Sequence, residues 1–228
     1  MKGPAHTPEI FYANIKTENF VITNFESEDV TTKQFLDSLS ARIADPKNFI
    51  DKGGAAQVFS LDENFCVKMI ENRHRSKFAH LMNLGNEASA EARILAEINK
   101  NIRINTPKFI AFIEGNTEYN AIVMRNANAV NLQKFILGTK KLSILDFDIK
   151  KFIDSMYEQT QALQDMGYCH NDLEARNWMI SQDGMPIMID FGRTYKIEQN
   201  NPAKNGEKDW TDLEKIEKTL LELKLDIK

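Results

Sequence analysis

The run His170-Asn171-Asp172-Leu173-Glu174-Ala175-Arg176-Asn177 gathers an imidazole, two carboxylates, a guanidinium and two side-chain amides in eight residues. Thirteen residues beyond Asn177 stands Asp190-Phe191-Gly192. Together these types suit phosphoryl transfer, which needs a positioned nucleophile and charge neutralisation at the phosphates. A hydroxyl nucleophile must lose a proton, and Asp172 is the candidate acceptor. Magnesium, a hard cation, takes oxygen ligands, and the Asn177 amide and the Asp190 carboxylate are the candidates for it. Either motif alone is a weak signal. The two in this order, with a short strand expected at 185–189 to bring Asp190 opposite Asn177, form a strong one.

The pattern H-x-D-L-x-x-x-N followed by D-F-G resembles the protein kinase superfamily, and other parts follow in the family's order over residues 48–195. That resemblance implies an α+β, bilobal protein-kinase-like fold with a truncated C-lobe. It divides the chain into an N-terminal extension (1–46), an N-lobe (47–125) and a minimal C-lobe (126–228). It implies ATP and Mg2+ as cofactors, and Asp172, Lys68, Asn177 and Asp190 as catalytic residues. Lys68, in Cys66-Val67-Lys68, looks like the family's phosphate-binding lysine. The loop Asp51-Lys52-Gly53-Gly54-Ala55-Ala56-Gln57-Val58 takes the place of the glycine-rich phosphate lid, with Gly53 retained and Gly54 beside it. Glu91 is the expected carboxylate partner of Lys68, with Glu87 as the alternative, while Glu97 reads as solvated helix surface. Met124 would be the gatekeeper, and backbone groups from Arg125 to Ala127 would hold the adenine edge. Val58, Cys66 and Met179 would sandwich the adenine ring.

Asn171 and Glu174 depart from the family. Asn171 replaces an arginine that grips a loop phosphate, which implies activity without loop phosphorylation. Glu174 replaces a lysine that touches the γ-phosphate, an unfavourable exchange unless Arg176 or another cation pairs it. The string Asp172-Leu173-Glu174-Ala175-Arg176-Asn177 also resembles the tyrosine-kinase form D-L-A-A-R-N. After Gly192 only 36 residues follow, without an A-P-E element. In that respect the chain resembles compact bacterial type III effector kinases of the OspG and NleH kind, and a minimal effector kinase that targets a host chaperone. This resemblance implies a Ser/Thr-protein kinase secreted from the bacterial cytoplasm into the host cytoplasm. Its partner would be a host protein, a chaperone or a ubiquitin-pathway protein among the options, and the protein itself a monomer. An atypical Bud32-like or small-molecule kinase, and a kinase-fold binding module, are the alternatives.

Around the motifs, hydrophobic patterning outlines the elements that must hold them. Residues 29–44 read as a helix, with Phe35, Leu36, Leu39 and Ile43 at helical spacing and Pro46 after its end. AAQVFSL and NFCVKMI read as a hairpin turning at Asp62-Glu63-Asn64. Residues 85–100 form the strongest helix signal, and PKFIAFIEG and YNAIVM are strand candidates. Helices are expected at 131–138, 147–166 and 209–225. On the last, Leu213, Ile216, Leu220, Leu221 and Leu223 would pack beneath the catalytic loop, with Asp209 or Asp212 capping either that loop or the helix itself.

The 228 residues carry a net charge of −4, which argues against a nucleic-acid binder working through a basic surface. No apolar run reaches the roughly 20 residues of a membrane span. The N-terminus lacks an apolar signal-peptide core. Cys66 and Cys169 are the only cysteines, too few for a disulfide framework or a C-x-x-C metal site, and a reducing compartment is expected.

Overall fold

The computed structural model describes residues 21–23, 39, 41–52, 56–71, 87–114, 119–141, 147–198 and 206–226. Gly53, Gly54 and most of the N-terminal extension lie outside these residues, as does the side chain of Glu87. The chain is an α+β protein and divides into two compact units, residues 1–83 with 110–124, and residues 84–109 with 125–228.

The first unit is built on a six-stranded sheet of β1 (Val21–Thr23), β2 (Phe49–Lys52), β3 (Ala56–Ser60), β4 (Phe65–Glu71), β5 (Phe109–Glu114) and β6 (Tyr119–Arg125). Their order across the sheet is β1-β5-β6-β4-β3-β2. The expected hairpin is β3–β4, antiparallel, with Val58 opposite Lys68 and Ser60 opposite Cys66. Its turn closes because the Asp62 carboxylate accepts hydrogen bonds from the Asn64 amide (2.7 Å) and the Phe65 amide (2.9 Å). Strand alternation then sorts the side chains. Phe59, Val67 and Met69 join one core with Leu39, with Ile43 of the helical turn at 41–44, and with Ile110, Ile113 and Val123. Val58, Cys66 and Lys68 project from the opposite face. Part of the N-terminal extension belongs to this sheet, since β1 pairs antiparallel with β5.

The second unit contains α1 (Glu87–Ile98), α2 (Leu132–Ile136), α3 (Ile149–Asp165) and α4 (Glu207–Asp226). Between the helices lie β7 (Val130–Asn131), β8 (Tyr168–Cys169), β9 (Trp178–Ile180), β10 (Pro186–Met188) and β11 (Tyr195–Lys196). The sheets β10-β9-β7 and β11-β8 are small. Asp148 caps α3 by accepting from the Lys151 amide (3.1 Å). Its apolar stripe, Phe152, Ile153, Met156 and Leu163, is buried. Helix α4 buries Leu213, Ile216 and Leu220, whereas Leu221, expected in the same face, is 44% exposed because it falls one residue off the stripe. Tyr157 of α3 stacks on Trp210 of α4 with rings 6.1 Å apart, and its hydroxyl donates to Glu217 (2.7 Å). Burial, and then that acceptor, push the Tyr157 phenol up to about 12. Among the described residues no helix is long and apolar enough to cross a membrane.

Helix α1, counted with 47–125 on sequence, groups with the second unit because it packs on the turn Phe191–Arg193. Its following loop is tied to α3 and β10. The Gln159 side chain accepts from the Asn105 amide (2.9 Å) and donates to the Pro186 carbonyl (3.0 Å). Asn105 gives its own side-chain hydrogen to that carbonyl (3.1 Å), and its carbonyl accepts from the Met188 amide (2.9 Å). Glu97 departs from its reading as plain surface, since it accepts the hydroxyl of buried Tyr168 (2.7 Å). Burial, and then the Glu97 carboxylate, push that phenol up to about 12.

Candidate active site

Asp172 and Asn177 stand at the two ends of one short loop, just after β8 and just before β9. The Asn177 amide nitrogen donates to the Asp172 carbonyl (2.7 Å) and to its carboxylate (3.0 Å). These bonds use both amide hydrogens, so the Asn177 carbonyl oxygen is the atom left to meet a cation. Both residues are buried, Asp172 to 6% exposure and Asn177 to 3%. The strands β9 and β10 pair antiparallel, Met179 opposite Ile187. That pairing runs on into the Ile189 amide donating to the Asn177 backbone carbonyl (3.0 Å), which delivers Asp190 beside the loop.

Asp190 has a left-handed backbone, φ 66° and ψ 72°. A non-glycine residue holds such a conformation only where its surroundings impose it. After it the chain turns at Gly192. A β-carbon built there would lie 3.4 Å from an oxygen of Asp190 and 3.4 Å from an oxygen of Glu91. Glu91, 5% exposed on α1, therefore aims its carboxylate at the Asp190–Gly192 turn. An amide oxygen and a carboxylate make a hard donor pair, which fits magnesium better than a softer transition metal. Among the described residues no cluster of three or more His, Cys, Asp or Glu forms a metal site.

The cations around Asp172 were only partly foreseen. Arg176 donates to both Asp172 carboxylate oxygens (3.1 Å each) and pairs with Glu174 as well. Glu174 is thus neutralised by the residue the sequence pointed to. Arg193, which no motif marked, lies 3.5 Å from Asp172. Its position directly after Gly192 was visible, but nothing in the spacing announced that it would turn back to the loop.

The backbone beneath Asp172 is held from α4. Asp209 is fully buried and accepts from the amides of His170 (2.8 Å) and Asn171 (2.7 Å). Of the two acids left open on sequence, Asp209 caps the loop that carries Asp172. Asp212 instead pairs with Lys208 and Lys215 of its own helix. Asn171 sits at φ 63°, a conformation that asparagine tolerates better than most residues. That gives Asn171 a local backbone reason to stand there. His170 is buried with its Nε2 3.0 Å from the Ile189 carbonyl. A carbonyl only accepts, so Nε2 carries a hydrogen. Burial holds its pKa below the usual histidine value, against the opposing pull of Asp209, the Ile189 carbonyl, Asp190 and Asp172.

The remaining candidates separate by unit. Val58, Cys66 and Lys68 share one face of the β3–β4 hairpin in the first unit. Burial pushes the Cys66 thiol up to about 11, so it stays protonated at neutral pH. Met124 ends that unit's run of β6. Arg125 and Ala127 open the second unit, in a stretch that leaves regular structure after Arg125. Met179 is half-buried on β9, opposite Asn131 of β7. Asn131 also donates to the Arg176 carbonyl (2.7 Å), tying α2 to the loop.

The protein kinase domain family matches residues 47–227. A probable serine/threonine-protein kinase of Dictyostelium discoideum is 27% identical over 157 residues, 65% of this chain and 11% of that protein. The serine/threonine-protein kinase PSK2 of Saccharomyces cerevisiae is 24% identical over 109 residues, 48% of this chain and 10% of that protein. The matched stretches span about a tenth of the length of these relatives. With the family match running through both units and every element of the candidate site, this chain belongs to the protein kinase family.

Proposed function

We propose that this protein transfers the γ-phosphate of ATP to a hydroxyl of a protein, serine or threonine in preference to tyrosine. The observation that carries the reading is the Asn177 amide, committed by both hydrogens to Asp172, with Asp190 delivered to the same loop by the β9–β10 pairing. In the reaction the acceptor oxygen forms a bond to the γ-phosphorus while the bond to the β–γ bridging oxygen breaks. ADP leaves with that oxygen, and the hydroxyl proton passes to Asp172. The Asn177 carbonyl and the Asp190 carboxylate would hold magnesium, which when bound neutralises phosphate charge. Lys68 is the residue proposed for the phosphates, and Val58, Cys66 and Met179 for the adenine.

The serine/threonine preference is supported by the names of the two relatives. The finer reading is a bacterial effector that enters the host cytoplasm and modifies a host protein there. It rests on the resemblance to compact effector kinases.

Purified protein, magnesium and γ-labelled ATP in a eukaryotic cell extract, beside the Asp190→Ala variant, test the activity. A labelled band with the parent protein and none with the variant is expected. No label with the parent, or equal label with both, would overturn the reading. Phosphotyrosine alone in hydrolysates of the band would reverse the acceptor assignment, and equal labelling of a bacterial extract would count against a host substrate.

A further inference from the structure

We infer that Arg193 is a catalytic residue whose guanidinium meets the negative charge on the transferring phosphoryl group. The inference rests on the phosphoryl-transfer reading above. Phosphoryl transfer succeeds by positioning and by cations near the equatorial oxygens, since little covalent chemistry is left for the protein. Three carboxylates belong to this loop and turn, Asp172, Glu174 and Asp190, and a phosphoryl group adds further negative charge. Among the described residues, Arg176 and Arg193 pair with Asp172. Arg176 is committed twice, to both oxygens of Asp172 and to Glu174. Its charge is largely answered before any substrate arrives.

Arg193 differs in each respect. Its bond to Asp172, at 3.5 Å, is the longest of the set. Its side chain is 67% exposed, against 46% for Arg176. It stands three residues after Asp190, the proposed metal ligand, on the turn against which α1 packs. A guanidinium there can keep one edge toward Asp172 and offer the other to phosphoryl oxygens. It takes no proton in the step, because the hydroxyl proton goes to Asp172. Glu174 follows Asp172 by two residues and already reaches its cluster through Arg176, so a lysine at position 174 is expected to add a cation beside that cluster.

The test compares binding of magnesium–ADP with binding of magnesium–ADP plus aluminium fluoride, a planar stand-in for the transferring group, measured by calorimetry on the full chain. The parent is expected to bind the second mixture more tightly. R193Q should lose at least about tenfold of that gain while its ADP affinity stays within about twofold, the size of effect expected from one preorganised donor. R193K should keep most of the gain, and R193Q with Glu174→Lys should recover it. R193Q with the full gain would overturn the inference, as would an equal loss of ADP affinity or no recovery with lysine at 174. A parent that gains nothing from aluminium fluoride would instead overturn the phosphoryl-transfer reading itself.

Discussion

Asp209, fully buried on α4, accepts hydrogen bonds from the backbone amides of both His170 and Asn171, 39 and 38 residues earlier. One carboxylate thereby holds the two residues that lead into Asp172, including the left-handed backbone at Asn171. Bonds to a buried charge contribute more than neutral ones, about 1.5–3 kcal/mol each. Asp209→Ala should therefore cost about 3–5 kcal/mol and lower Tm by on the order of 10 °C in a protein of this size. Asp209→Asn, which keeps one acceptor oxygen, should cost less. Calorimetric melting of the three proteins checks the ranking. A Tm for Asp209→Ala within about 2 °C of the parent would mean the cap contributes little.

Asp172→Ala should separate chemistry from binding. The proposed base acts on the acceptor hydroxyl, so turnover should fall by about 10²–10⁴-fold. The KM for ATP should move far less, because Asp172 is not assigned to the nucleotide. Steady-state kinetics at saturating acceptor make the comparison. A parallel collapse of nucleotide affinity would show that Asp172 belongs to the binding site and not to the proton transfer.

His170 should make the fold sensitive to mild acid. Its folded pKa is depressed by burial, so between that value and the unfolded value near 6.5 the unfolded chain binds more protons. Stability therefore falls as pH drops below about 6.5 and is regained as pH rises through it. His170→Gln removes the titrating ring while keeping a donor for the Ile189 carbonyl. Its Tm should be lower at pH 7.5 yet change less between pH 7 and 5 than the parent's. Identical pH slopes for the two proteins would dismiss the histidine as their source.

Gln159 should prove to be a structural fastener for the segment that bears Asp190. It is 3% exposed and joins the Asn105 amide to the Pro186 carbonyl at the start of β10. Gln159→Leu leaves the Asn105 amide without this acceptor and removes a donor from Pro186, at a cost of about 2–4 kcal/mol. Hydrogen exchange should speed up in 186–190 and in the loop 101–108 more than in β3–β4. Uniform exchange across the chain would mean the fastening is not local.

The sequence by itself determined the fold class and the family's chemical outline. The reason is that its signals are short-range. Asp172 to Asn177 is one loop, Asp190 follows within a hairpin's reach, and the alternation in 56–70 and the stripes of α1 and α3 stay within single elements. Tertiary structure alone decided the contacts between residues far apart in the chain: Asp209 chosen over Asp212, Glu97 bound to Tyr168, Gln159 joining 105 to 186. It also turned Arg193 back onto Asp172. A side-chain hydrogen bond to a residue 39, 54 or 71 positions away leaves no period and no spacing along the chain. Such bonds exist because packing buries polar groups that must then find partners, and which partner is near is settled only once the elements have met.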